Sequence, residues 1–585
     1  MRFSITPEMS SPRRMAAIAG LLTVVASVWQ LALGARNAVR TLGDTDDAMR
    51  IVLVRDLLHG RGWYDQLMTR IDPPHGLYFH WSRLVDGALA GLMWFAGLFL
   101  SPAEAELAVR LIWPLLWMFP ALYAALVIAR NLGTRSAVLI AAVLVVTELQ
   151  LYRQFTPGRV DHHDIQITCA LAVLAIATLR DLKPWLAAAA GALTALGLAV
   201  GLEALLFHAV VGASFAYRMT RDRASVRAGG AYGLALAAGA VGLYAIQTPP
   251  WRWDLMFCDA LGVNLVIGLA VAGLGFAAIA RFSDRLSSAW RSVLVGGVGL
   301  SAAAIYLAMD PACIHGPFAH LDPRLYALWL DHVDELRPWT YTYVHQRASA
   351  VHSMTVMVMV LAAAAFVWWR KRRVVPEGIA FAIVAVACVC AFRYARIEDY
   401  AFWFGLPVLA AAMSVLAERW LGNLLVPTVL ATIVLSPIFI GAGLGNGFSF
   451  KHNDNAVDAQ ASGLRCFDNA SFDRLARLPR GLVLADIDLG PAILANTPHD
   501  ILIGPYHRLS KEILTAYDTL HAPPAAAEPR VRQLKVTYIV HCMHFQSRQA
   551  TGLLAELHSG RHVSWLTKVS RPGEINQIWR VNAAP

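Results

Sequence analysis

Charge is scarce in this chain. Asp, Glu, Lys and Arg make up 15% of its 585 residues, where a soluble domain carries nearer about a quarter. That deficit excludes an ordinary soluble globule. No internal repeat or low-complexity stretch is present, which removes solenoid and array architectures. No Cys/His spacing suits a structural zinc site. The basic excess, a formal net charge of +10, sits in short loops between apolar runs. Membrane topology accounts for it, so no nucleic-acid partner is expected.

What the chain has instead is apolar length. Hydrophobic residues reach 57%. Runs of about 16–22 residues recur from Met15 to Ile440, long enough for a bilayer core of roughly 30 Å. Helices are the spanning form that satisfies a backbone in lipid. The first run, Met15–Gly34, follows Arg13 and Arg14 and reads as a retained anchor, because no small-residue cleavage site follows it. About thirteen spans are predicted, among them Ala137–Leu151, Leu202–Tyr217 and, last, Leu424–Ile440. The stretch Leu84–Leu100 is not counted as one. It is short, and counting it would invert every later basic loop. As an interfacial or re-entrant segment it leaves Arg130/Arg135, Arg180/Lys183, Arg218–Arg227, Arg281–Arg291, Arg370/Lys371/Arg372/Arg373 and Arg419 on one side, the cytoplasmic one.

Two outer loops are then long, residues 35–106 and 308–350, and long loops usually carry function. The expected organisation is a membrane domain over residues 1–445 and a soluble extracytoplasmic α/β domain over 446–585. Strands are predicted at Gly481–Asp486, Ile501–Ile503 and Val536–Val540, and helices around Ser471–Leu478 and Ser510–Leu520. The fold class is mostly α. Of seven cysteines, Cys169, Cys388 and Cys390 lie in spans and read as packing residues. An oxidising outer compartment permits Cys258–Cys313 and Cys466–Cys542 bridges.

The chemistry concentrates on the outer side. The first loop opens with Asp44-Thr45-Asp46-Asp47. Three carboxylates in four residues repel one another unless a hard cation such as Mg²⁺, Mn²⁺ or Ca²⁺ neutralises them; the alternative is a helix N-cap. The second outer loop holds Gly158-Arg159-Val160-Asp161-His162-His163-Asp164, a mixed carboxylate–imidazole set suited to Mn²⁺ as well as Mg²⁺. The fifth carries Val333-Asp334-Glu335-Leu336-Arg337-Pro338. Arg393 and Arg396 stand outside against the charge rule, as arginines that bind phosphate or carboxylate do.

In this order the motifs resemble the catalytic subunit of oligosaccharyltransferase, within the GT-C glycosyltransferases. The resemblance implies a D-x-D-like motif at Asp46, with Asp44 and Asp47 as alternatives. It implies a second acidic motif at Asp161-His162-His163, a glutamate motif at Glu335, and a late arginine at Arg396. Segments such as His80-Trp81-Ser82-Arg83 look like those of bacterial relatives. The implied catalytic residues are Asp46, Asp44 and Glu335, with a divalent metal, Mg²⁺ or Mn²⁺, on Asp46, Asp47, Asp161 and His163. Donor phosphate would meet Arg396, Arg159 or Arg83. His80, His162, His507 and Arg508 would contact acceptor or donor. The implied reaction moves a sugar or oligosaccharide from a polyprenyl-(pyro)phosphate donor to a glycan or protein acceptor. The implied setting is the bacterial inner membrane among its lipids, with the N-terminus cytoplasmic and the tail periplasmic. The tail lacks the W-W-D signature that recognises an N-glycosylation sequon, which leaves the acceptor open.

Two rival readings are a transporter or flippase and a non-catalytic subunit of polysaccharide export. Against the first, the ionisable residues gather at one membrane face and no inverted repeat is present.

Overall fold

The computed structural model describes residues 10–371, 375–422, 424–447, 464–544 and 551–583; the loop residues Arg372 and Arg373, and residues 448–463 at the start of the expected tail domain, lie outside them. Eleven of the thirteen predicted spans each lie largely on one helix, and the other two are broken. Nine helices among the described residues are long and apolar enough to cross a membrane, from Pro12–Arg40 to Leu425–Leu444. The chain is an integral membrane protein. His163–Ala177 and Pro184–Val200 are shorter apolar helices, and Leu205–Arg221 begins three residues later than its predicted span.

The span predicted at Ala137–Leu151 is broken. Ala137–Thr147 and Leu149–Phe155 meet at 74°. Glu148 sits at the break, fully buried, 2.8 Å from His352 Nε2 on the Arg347–Arg370 helix. An acid at this depth needs a partner, and apolar length alone did not reveal it. The last span is also interrupted, just before Pro437, whose ring removes a helix donor.

Leu84–Leu100 forms the helix Arg83–Ala96 and the turn after it. Fourteen residues rise about 21 Å, short of the bilayer core. Trp94, Phe95, Leu98 and Phe99 are exposed at its far end, the composition of a segment lying in an interface.

Outside the helical bundle, the tail forms a five-stranded sheet. Its strands, numbered after the short hairpin β1 (Leu67–Met68) and β2 (Leu77–Tyr78), are β3 (Leu482–Ala485), β4 (Asp500–Ile501), β5 (Val536–Cys542), β6 (Leu566–Lys568) and β7 (Asn576–Val581). The order is β4-β3-β5-β7-β6. The three predicted strands pair in parallel, and β7 and β6 extend the sheet antiparallel. Both permitted disulfides are formed, Cys258–Cys313 and Cys466–Cys542.

The tail does not stand apart from the long loops. Ile71 bridges Ile501 at the sheet edge: Ile501 N–H donates to Arg70 O and Asp72 N–H to Ile501 O, each at 2.9 Å. Leu42, Met49 and Phe79 from the first loop and Leu325 and Trp329 from the fifth share one apolar core with the tail strands. Burial at roughly 25 cal/mol per Å² makes this shared core the main adhesive of the outer module. Between it and the bundle lies a cavity of about 1390 Å³.

Candidate active site

Five outer segments bring ionisable residues to and behind the cavity wall. The first is the helix Thr45–Leu58. Asp44 is its N-cap: Oδ1 accepts the N–H groups of Asp46 and Asp47 at 3.0 Å, and Oδ2 lies 2.9 Å from Arg159 Nη1. The capping alternative holds for Asp44, whose oxygens are engaged by this work. Asp47, fully buried, turns the other way. Its Oδ1 accepts Val160 N–H at 2.7 Å and Asp161 N–H at 3.0 Å, and its Oδ2 accepts Asp44 N–H at 3.2 Å. It clamps the second outer loop in place. Gly43 allows this, because φ is +87° and a Cβ there would collide with the Asp47 carboxylate.

Asp46 is the one of the three whose carboxylate accepts no hydrogen bond among the described residues. Burial first, then Asp161 and Asp44, raise it well above the ordinary carboxylate range. Asp47 is pushed up to about 7, by burial first and then by Asp44.

The second segment brings Asp161, His162 and His163, whose ligand atoms all lie within 4.8 Å of one another. Asp161 Oδ1 touches His162 Nδ1, and Oδ2 is 2.9 Å from His163 Nε2. Burial raises the Asp161 carboxyl, and His162 and His163 more than reverse that, leaving it well below its ordinary value.

His163 reaches onward. Its Nδ1 is 2.9 Å from Glu203 Oε2, and Glu203 Oε2 is 3.7 Å from Arg396 Nη1. Arg396 closes on Glu335, with Nε at 2.8 Å from Oε2 and Nη2 in direct contact. Burial raises Glu335, and Arg396, His163 and Arg159 outweigh it, holding the carboxyl at about 2. A chain of ion pairs therefore runs Asp161–His163–Glu203–Arg396–Glu335 across four outer segments. Gly201 keeps the Glu203 turn tight, since a Cβ there would collide with Gln166 and crowd His162.

A divalent cation fits this set. Asp161 Oδ2 is buried without a well-aligned hydrogen bond, and Asp46, near enough to Asp161 to be raised by it, has an unengaged carboxylate. Carboxylates with one imidazole suit Mn²⁺ and Mg²⁺.

Two of the expected arginines, Arg83 and Arg159, are engaged in ion pairs within the protein, as is Arg50. Arg83 is 1% exposed, pairs with Asp86 at 3.2 Å and donates to the carbonyls of Gly62, Trp63 and Asp65. It braces the first loop and is not open to a donor phosphate. Arg50, fully buried, holds the other Asp86 oxygen at 2.7 Å and lies 3.9 Å from Asp161 Oδ1. Arg159 spans Asp44, Asp47 and Asp161 at 2.9–4.0 Å. His499, in the polar Thr497-Pro498-His499 turn, is buried against Leu475 O at 2.8 Å.

His80, His507 and Arg508 line another part of the cavity wall. They gather on Asp259, which pattern reading missed. His507 Nε2 is 2.6 Å from Asp259 Oδ2, and Arg508 grips both carboxylate oxygens at 2.7 and 2.8 Å. Glu203, too, was missed: it is a lone acid in a four-residue turn, and only its place on the outer side marked it.

The fold is shared with a solved archaeal oligosaccharyltransferase, as the resemblance of the motifs implied. No protein-family model and no curated sequence matches the chain. Among solved structures, the chain is similar to the archaeal oligosaccharyltransferase AglB from Archaeoglobus fulgidus in complex with an inhibitory peptide and a dolichol-phosphate. The TM-score is 0.63 at 15% identity, over 90% of this chain and 69% of that one. The same enzyme tethered to an acceptor peptide with an NVT sequon gives the same values. Its complex with Zn and sulfate gives TM-score 0.59 at 15% identity, covering 89% and 68%.

Proposed function

We propose that this protein is a metal-dependent membrane glycosyltransferase. It takes a sugar or oligosaccharide from a polyprenyl-(pyro)phosphate-linked donor and transfers it to a glycan or protein acceptor on the extracytoplasmic face. The setting we propose is the bacterial inner membrane, with the N-terminus cytoplasmic and the tail periplasmic. The observation that carries the reading is the free Asp46 carboxylate on the wall of the cavity shared by bundle and outer module, near enough to buried Asp161 to be raised by it, with His163 2.9 Å from Asp161. The solved neighbour's binding of a dolichol-phosphate supports a lipid-phosphate donor.

In this reading Asp46, Asp161 and His163 hold Mn²⁺ or Mg²⁺, which when bound supplies positive charge to a leaving phosphate. Asp47 fixes the loop that carries Asp161. Glu203 orients His163 through Nδ1, as outer partners of ligand histidines do. Arg396 donates charge-assisted hydrogen bonds to the phosphate from a position that Glu335 and Glu203 set. Glu335, kept ionised by Arg396, accepts a hydrogen bond from the acceptor and orients it.

The test uses purified chain, Mn²⁺ and labelled undecaprenyl-pyrophosphate-linked sugar. Release of sugar to acceptor or water is expected, with loss in Asp46→Asn and in Asp161→Asn. Labelled lipid crossing vesicle bilayers with its sugar intact, and no release, would replace this reading with a flippase.

A further inference from the structure

We propose that His80, Asp259 and His507 form a second metal site, for a divalent d-block cation of the Zn²⁺ class, that clamps the tail to the outer loops. One ligand atom from each lies within 4.8 Å of the other two. The two imidazole rings sit 4.9 Å apart, centre to centre. Two imidazoles and a carboxylate suit Zn²⁺ better than Mg²⁺ or Ca²⁺, which favour oxygen.

The ligands come from three distant stretches, each fixed independently. His80 follows β2 and is flanked by Phe79 and Trp81, both edge-on to Tyr506. Asp259 follows Cys258, which is bridged to Cys313. His507 opens the turn His507–Leu509 after β4. Such prior fixing reduces the entropy that a cation must overcome to order its ligands.

His80 is the residue that hydrogen bonding leaves unexplained. Asp259 satisfies His507 and Arg508, but no hydrogen bond reaches the His80 ring among the described residues. Burial, then Arg508, hold its imidazole well below its ordinary value, which leaves a neutral ring with a lone pair. Arg508 takes the place of an outer partner that orients a ligand carboxylate. Tetrahedral coordination at about 2.0 Å separates ligand atoms by roughly 3.3 Å. His507 Nε2 and Asp259 Oδ2, now 2.6 Å apart, would part by roughly 0.7 Å as a cation replaced the shared proton.

The site is separate from the Asp46–Asp161–His163 set, and its test does not depend on glycosyl transfer. Tag-free full-length chain is stripped with chelator, titrated with Zn²⁺ and assayed for bound metal. The Asp161→Ala/His163→Ala chain is expected to retain one tight equivalent. His80→Gln or His507→Gln in that background should weaken it more than tenfold. In the otherwise native chain either substitution should leave one equivalent, which also reports that the fold survives. X-ray absorption of the zinc-loaded Asp161→Ala/His163→Ala chain should show two imidazoles. The proposal is overturned if that chain binds no zinc, if neither glutamine substitution weakens binding, or if fewer than two imidazoles surround the metal.

Discussion

Replacing Glu203 with Gln removes one negative charge and keeps the shape of the side chain. In the structure Glu203 stands between His163 and Arg396, at 2.9 and 3.7 Å, with its side chain 11% exposed and that of His163 3%. An outer partner of a metal-holding histidine is worth about ten- to a hundredfold in metal affinity, or roughly 1.4–2.7 kcal/mol. Glu203→Gln is therefore expected to weaken Mn²⁺ binding by that factor. Most of the transfer rate should return at saturating Mn²⁺, because Asp46, Asp161 and His163 are all still present. Glu203→Ala should be worse on both counts, since Nδ1 of a buried ring then loses its acceptor altogether. Free Mn²⁺ can be followed by electron paramagnetic resonance alongside release of labelled sugar. Wild-type affinity in Glu203→Gln, with affinity lost in Asp161→Asn, would refute the idea that Glu203 orients His163.

Three further outcomes are expected. Asp47 sits near pH 7 against an ordinary 3.8, with Asp46 raised as well, so the native protein holds these protons more tightly than the unfolded chain. The stability they contribute is complete below about pH 4 and is lost as pH rises through about 7. A cation substitutes for the protons, so Mn²⁺ should raise the melting temperature more at about pH 8 than at about pH 5.5; an equal shift would contradict this. Arg83→Ala should cost about 3–5 kcal/mol of stability by leaving buried Asp86 half-paired. Arg396→Ala should instead lower transfer by about ten- to a hundredfold at nearly unchanged melting temperature, and the two variants behaving alike would sink the distinction. Cys466→Ser with Cys542→Ser should cost about 2–5 kcal/mol, read by thermal melting of the chain made in an oxidising compartment.

Much of the architecture was legible because a bilayer constrains sequence so strongly. Among the described residues the thirteen apolar runs all fell on helical stretches, two of them broken, and leaving out Leu84–Leu100 gave the basic loops a consistent register. The second acidic motif was equally legible, since Asp161, His162 and His163 are adjacent in the chain. Asp44, Asp46 and Asp47 were a harder case. Their types are identical, and only the backbone N–H groups each one meets separate a cap, a clamp and a free carboxylate. Arg83 looked like an anion binder although Asp86, three residues on in the same helix, stood at pairing distance; its burial showed only in the fold. Glu203 and Asp259 carry no local pattern at all. Each acts through residues more than 30 positions away, and such partners emerge only once the chain has folded.

The bridge between Ile71 and Ile501 has a consequence for how the molecule is made. A sheet edge that begins near residue 70 in the first loop finds its partner more than 400 residues later. Contacts so distant along the chain form late, so the first outer loop waits through the synthesis of every membrane span before its core is complete. Until then Leu42, Met49, Met68, Ile71 and Phe79 face water with nothing to cover them. A chain truncated before the tail would keep its apolar spans and still present an apolar surface on the outer side, the kind of surface that chaperones and proteases recognise. Assembly of the cavity thus doubles as a check that the whole chain has been delivered.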